Sequence, residues 1–72
     1  MKFVRINKND IIKELHDNKK LVVCKINKFG TDHDIFKLYT IDKDTATIKE
    51  LHEITEDKNL SVFKIVIPRI RN

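Results

Sequence analysis

Apolar and polar side chains alternate over the first residues of the chain. Val4 and Ile6 fall on one side and Phe3 and Arg5 on the other. Period two over this stretch predicts a short strand. The pattern then changes. Ile11, Ile12 and Leu15 make a stripe at helical spacing. Asn7 or Asn9 supplies a side-chain cap, acidic Asp10 and Glu14 come early, and Lys19 and Lys20 come late, in the order that the helix dipole favours. These features predict a helix from Asn9 to Asn18, closed by Asn18 in a left-handed turn.

Leu21 to Ile26 is dense and β-branched, which predicts a second strand. The only glycine lies in the loop Lys28-Phe29-Gly30-Thr31-Asp32-His33-Asp34, and Ile35 to Ile41 is a third strand, so the two form a hairpin. Asp42-Lys43-Asp44 reads as a turn, because Asx side chains bond their own following backbone. Leu60 to Ile67 is the last strand, and Pro68 ends it or confines it to an edge.

Ala46 to Ile54 has two readings. Ile48, Leu51 and Ile54 recur every third residue, and Thr47-x-x-Glu50 has the form of a capping box, both favouring a helix. The Asp-rich turn just before it resembles a hairpin entry, which favours a strand from Thr45 to Leu51. The context argument gives a single α+β domain over residues 1–72, ordered β-α-β-β-β-β, with one helix on a mostly antiparallel sheet. The alternative is β-α-β-β-α-β, a ferredoxin-like split arrangement.

Size restricts function more than fold. Seventy-two residues bury only about 60% of the surface of the unfolded chain. A deep substrate cavity would remove the core, so no enzyme is expected. One cysteine provides neither a disulfide framework nor a Cys-rich zinc site. A free thiol and the lack of a signal-peptide pattern point to the cytoplasm, and no apolar run is long enough to cross a membrane.

Charge is segregated along the chain. Residues 1–30 carry +5, residues 31–57 carry −5, and residues 58–72 carry +4, which together make the net +4. The two basic ends suggest a cationic face formed by Lys2, Arg5, Lys25, Lys28, Lys64, Arg69 and Arg71, placed on the first, second and last strands or beside them. Such a face would meet phosphates. Phe3, Phe29, Phe36 and Tyr39 are the candidates for base stacking, although three of these four are expected in the core.

Other chemistry is weaker. Asp42, Asp44 and Glu53 match three positions of an EF-hand loop, but Ala46 and Thr47 stand where an oxygen ligand and a glycine are needed. Asp32-His33-Asp34 reads as a polar loop tip, and His16 and His52 as rim residues. Ser61 lacks a nucleophile elbow. Cys24 alternates with Val22 and Ile26, as a small core hydrophobe would. No metal, cofactor or catalytic set is expected. The leading expectation is a small non-catalytic intracellular module that binds a protein partner or a second copy of itself, in the manner of a regulator. The composition also suits a chain encoded by a phage or mobile element. The alternative is a nucleic-acid-binding protein that uses the basic face.

Overall fold

The structure is a computed structural model that describes residues 1–29 and 33–68, with side chains except at 27–29 and 33–36. Among the described residues, four strands and two helices follow one another as β1 (Lys2–Arg5), α1 (Ile11–Asn18), β2 (Lys20–Phe29), β3 (His33–Asp42), α2 (Ile48–Glu56) and β4 (Leu60–Val66). A single 3-10 turn, Lys8–Asp10, leads into α1. The class is α+β, as the hydrophobic pattern predicts. The strand expected over Thr45–Leu51 does not form: Thr45 ends a turn, Thr47 is a helix cap, and Ile48–Leu51 opens a second helix, so the element order is the alternative one.

The local reason is visible at the start of α2. Thr47 is extended, and its Oγ1 accepts a hydrogen bond from the Glu50 N–H at 3.1 Å. That satisfies one of the donors a helix start leaves open. Leu51 and Ile54 then face the core together. A strand would have turned these two residues to opposite sides. Asp42 does form the expected turn, its Oδ1 accepting from the Asp44 N–H at 2.9 Å. That turn leads into a helix rather than back along the sheet.

At the other helix, Asn7 caps the 3-10 turn through its side chain, which accepts from the Asn9 N–H at 3.0 Å. The left-handed position falls one residue later than expected. Asn18 remains helical and its Nδ2 donates to the Glu14 carbonyl, while Lys19 takes φ 67°. Lys19 also donates its N–H to the Leu15 carbonyl, which closes the helix end.

The sheet order is β1-β4-β2-β3, and every pairing is antiparallel. β1 and β2 therefore run parallel with β4 between them, and β3 and β4 run parallel with β2 between them. Each helix is the crossover of one of these split units. Both helices lie on the same face of the sheet. Their buried residues Ile11, Leu15, Leu51 and Ile54 join Ile6, Leu21, Val23, Ile41, Leu60 and Val62 in one core. Leu21, Val23 and Val62, in the two central strands, are fully buried.

Ile12 and Ile48 belong to the apolar stripes read from the sequence, yet both are exposed. Each sits in the first turn of its helix, beyond the area the sheet can cover. With Ile11, Leu51 and the neighbouring polar residues they line a shallow hollow between the two helix starts.

Candidate functional site

A strand sends successive side chains to opposite faces, so the residues between the core positions define the second face of the sheet. On β1 these are Phe3 and Arg5, on β4 Ser61, Phe63 and Ile65, on β2 Lys20, Val22, Cys24 and Ile26, and on β3 Leu38, Thr40 and Asp42. The register aligns them in rows. Arg5, Phe63, Val22 and Thr40 form one row across all four strands, and Ser61, Cys24 and Leu38 form the next. Among the described residues no helix lies on this side, and both α1 and α2 pack on the other.

The uncovered face is apolar at its centre. Phe3, Val22, Cys24, Leu38 and Phe63 enclose an open hollow of about 240 Å³. Phe3 is 53% exposed and Leu38 68% exposed, while Val22 between them is only 8% exposed. Charge is confined to the rim. Arg5 lies on the β1 edge, and Lys20 stands directly across from Asp42 at the β3 edge. Two expectations are corrected here. Cys24 is not a core residue but a half-buried member of this open face. Phe3 and Tyr39 are exposed rather than buried, while the side chains of Phe29 and Phe36 lie outside the described residues. Phe3 points to the side of a short edge strand opposite half-buried Val4. Only one of the two faces of that strand can be covered by two helices.

The proposed cationic face is divided. The first and last strands, which carry Lys2, Arg5 and Lys64, do pair, with Val4 across from Lys64 and Lys2 across from Val66. Their side chains part company. Lys2, Lys25 and Lys64 share the parity of the core residues and lie on the helix side, whereas Arg5 lies on the open side. Lys25 stands across from Leu60, four residues along β4 from Lys64, a separation of about 13 Å. Lys64 is already engaged, its Nζ lying 3.6 Å from Glu14 Oε2 on α1. The Lys28 side chain, Arg69 and Arg71 lie outside the described residues. The structure therefore brings Lys2 and Lys64 together on one side, leaves Lys25 at the far end of that side, and separates Arg5 from all three.

The acidic residues of α2 also belong to the helix side. Glu50, Glu53 and Glu56 are exposed on α2, and Lys8 Nζ donates to the Asp57 carbonyl at 2.7 Å beyond its C-terminus. Tyr39 reaches this side from β3. Partial burial raises its phenol pKa, and the nearby carboxylates of Glu50 and Asp57 push it the same way. His16 and His52 are exposed on α1 and α2. Among the described residues no three His, Cys, Asp or Glu side chains gather closely enough to hold a metal ion, and no helix is long and apolar enough to cross a membrane.

Among the described residues, the fold and this face define a two-layer α+β domain whose sheet is covered by helices on one side and by none on the other. No protein-family model, curated protein or solved structure matches the chain. The open face is the feature that sequence reading missed. Its signal was present as the odd-numbered apolar set Phe3, Phe63 and Ile65 and the even-numbered set Val22, Cys24 and Ile26, both out of phase with the core positions of the same strands.

Proposed function

We propose that this chain is a small non-catalytic protein-interaction or regulatory module that binds through the open face of its sheet. The observation that carries this reading is the apolar centre formed by Phe3, Val22, Cys24, Leu38 and Phe63. Exposed apolar patches rimmed by polar groups mark sites of protein contact. The rim of Arg5, Lys20 and Asp42 around this centre has the anatomy of an interface, with a desolvated middle and a hydrated edge. A phosphate backbone would need several cations on one surface. Lys2, Lys25 and Lys64 face the other way, which favours a protein partner over nucleic acid. A reducing compartment suits Cys24, which remains a free thiol on that face.

Site-specific photo-cross-linking in cells tests the reading. A benzophenone side chain at position 38 is expected to capture protein, either another chain or a second copy, in an adduct that nuclease leaves intact. The same group at exposed position 48, on the helix side, is the control and is expected to capture none. Nuclease-sensitive adducts at position 38, or equal capture at both positions, would overturn the proposal.

A further inference from the structure

We infer that the outer edge of β3 takes up an extended peptide of a partner protein as a fifth strand, with an acidic residue of the peptide across from Lys37. The site is the edge of the sheet and not its open face, so it stands or falls separately from the proposal above.

The hydrogen-bond phase of β3 is the first ground. The Lys43 N–H donates to the Lys19 carbonyl at 2.8 Å, in the same register that sets Leu21 across from Ile41. Bonded and non-bonded pairs alternate along an antiparallel ladder. Lys37, Tyr39 and Ile41 therefore aim their N–H and C=O groups at β2, while Leu38 and Thr40 aim theirs outward. β3 is the last strand of the sheet, and among the described residues nothing bonds these outward groups. The backbone of another extended chain carries donors and acceptors at the matching spacing.

The edge is also unusually regular. Free edges are commonly blunted by shortness, by a bulge or by proline. The opposite edge is blunted in this way: β1 has four residues, and the Ile6 N–H bond to the Val62 carbonyl fixes a phase in which only Phe3 and Arg5 face outward. β3 has ten residues, pairs with β2 at every one of them without a bulge, and contains neither glycine nor proline. Leu38 on this edge is 68% exposed.

Charge selects the strand that fits. Lys37 stands directly across from Lys25, and among the described residues neither lies within 4.0 Å of a carboxylate. Like charges so placed are unfavourable. An acid across from Lys37 on the incoming strand offsets this. Tyr39 has Glu50 and Asp57 nearby, so a basic residue suits the position across from it. A second copy of β3 lacks this pattern. In its two longest antiparallel registers of this phase, Lys37 meets Lys37 or Asp34 meets Asp42.

The probe is the blocked peptide Thr-Val-Arg-Val-Glu-Val-Thr, whose central valine falls across from Leu38 in the antiparallel register. Amide hydrogen exchange followed by NMR is the assay. Exchange at Leu38 and Thr40 is expected to slow by about tenfold when free peptide is about ten times its dissociation constant. N-methylation of the central valine, whose N–H points at β3, should abolish the effect. N-methylation of the glutamate, whose N–H points away, should leave it. Lysine in place of the glutamate should weaken binding by about tenfold, and Lys37→Glu, at an exposed position, should reverse that preference. No slowing at Leu38 and Thr40 with millimolar peptide overturns the inference. So does equal loss from the two methylations, or slowing at Phe3 and Arg5 instead. A charge preference that Lys37→Glu leaves unchanged overturns the assignment of the acid.

Discussion

Leu21 and Leu38 stand on adjacent strands and face opposite sides of the sheet. Leu21 is 0% exposed in the helix-covered core, whereas Leu38 is 68% exposed on the open face. Truncating each to alanine removes the same three carbons, so the difference in cost measures the difference between the two faces. For Leu21→Ala the lost transfer energy is about 2.4 kcal/mol at about 0.8 kcal/mol per carbon. The cavity adds to this and brings the total to about 3–4 kcal/mol, within the range seen for buried leucines. For Leu38→Ala about one third of that transfer term applies and no cavity forms, so the cost is about 0.8 kcal/mol. A domain of this size has a total stability of about 3–5 kcal/mol. Leu21→Ala on a stability of about 4 kcal/mol leaves a margin of about 1 kcal/mol or less and an unfolded fraction of about 15% or more.

The assay is urea unfolding followed by far-ultraviolet circular dichroism, at concentrations low enough to keep the chain monomeric. Equal slopes with shifted midpoints would show that only stability has changed. If Leu38→Ala costs as much as Leu21→Ala under these conditions, the second face of the sheet is packed within the monomer. The open-face reasoning then fails.

Three further outcomes are expected. Lys19→Gly relieves a side chain held at φ 67° and should stabilise the chain by about 0.5–1 kcal/mol, because only glycine adopts this region without steric cost; a melting temperature that fell would contradict the assignment of that residue as the helix stop. Lys64→Ala strands the buried Glu14 Oε2, which accepts no hydrogen bond, and should cost about 1–3 kcal/mol. Glu14→Gln with Lys64→Ala should recover part of the loss, and a double-mutant cycle with no coupling would show that the pair is incidental. Spectrophotometric titration of Tyr39, the only tyrosine, should give a midpoint above the usual phenol value of about 10, and Glu50→Gln should lower it. The folded pKa is the raised one, so this contribution to stability is complete below the unfolded value and is lost as the pH rises through the folded value. A midpoint at or below the free phenol value would place Tyr39 away from α2.

The sequence by itself determined the secondary elements wherever apolar spacing was unambiguous. The β-branched run Leu21–Ile26 and the strand Ile35–Ile41 form the expected hairpin, and Leu60–Ile67 forms the last strand up to Val66. Two stretches were exceptions: the expected loop Lys28–Asp34, whose ends Lys28, Phe29, His33 and Asp34 extend β2 and β3 instead, and Ala46–Ile54, where a turn signal and a capping signal competed. Thr47 decided the matter locally, since its hydroxyl meets the Glu50 N–H only in a helix. The basic first and last strands were also legible, and they pair as β1 and β4.

Which of these residues share a surface was decided only by the tertiary structure. Lys2, Lys25 and Lys64 look equivalent to Arg5 as charges, but strand parity sets them on the side the helices occupy. Phe3, Cys24 and Phe63 look like core residues, yet two short helices can cover one face of a four-stranded sheet and not both. Composition fixes how much apolar surface the chain owns. The placement of α1 and α2 on a single face decides which part of it becomes the core and which part is left exposed.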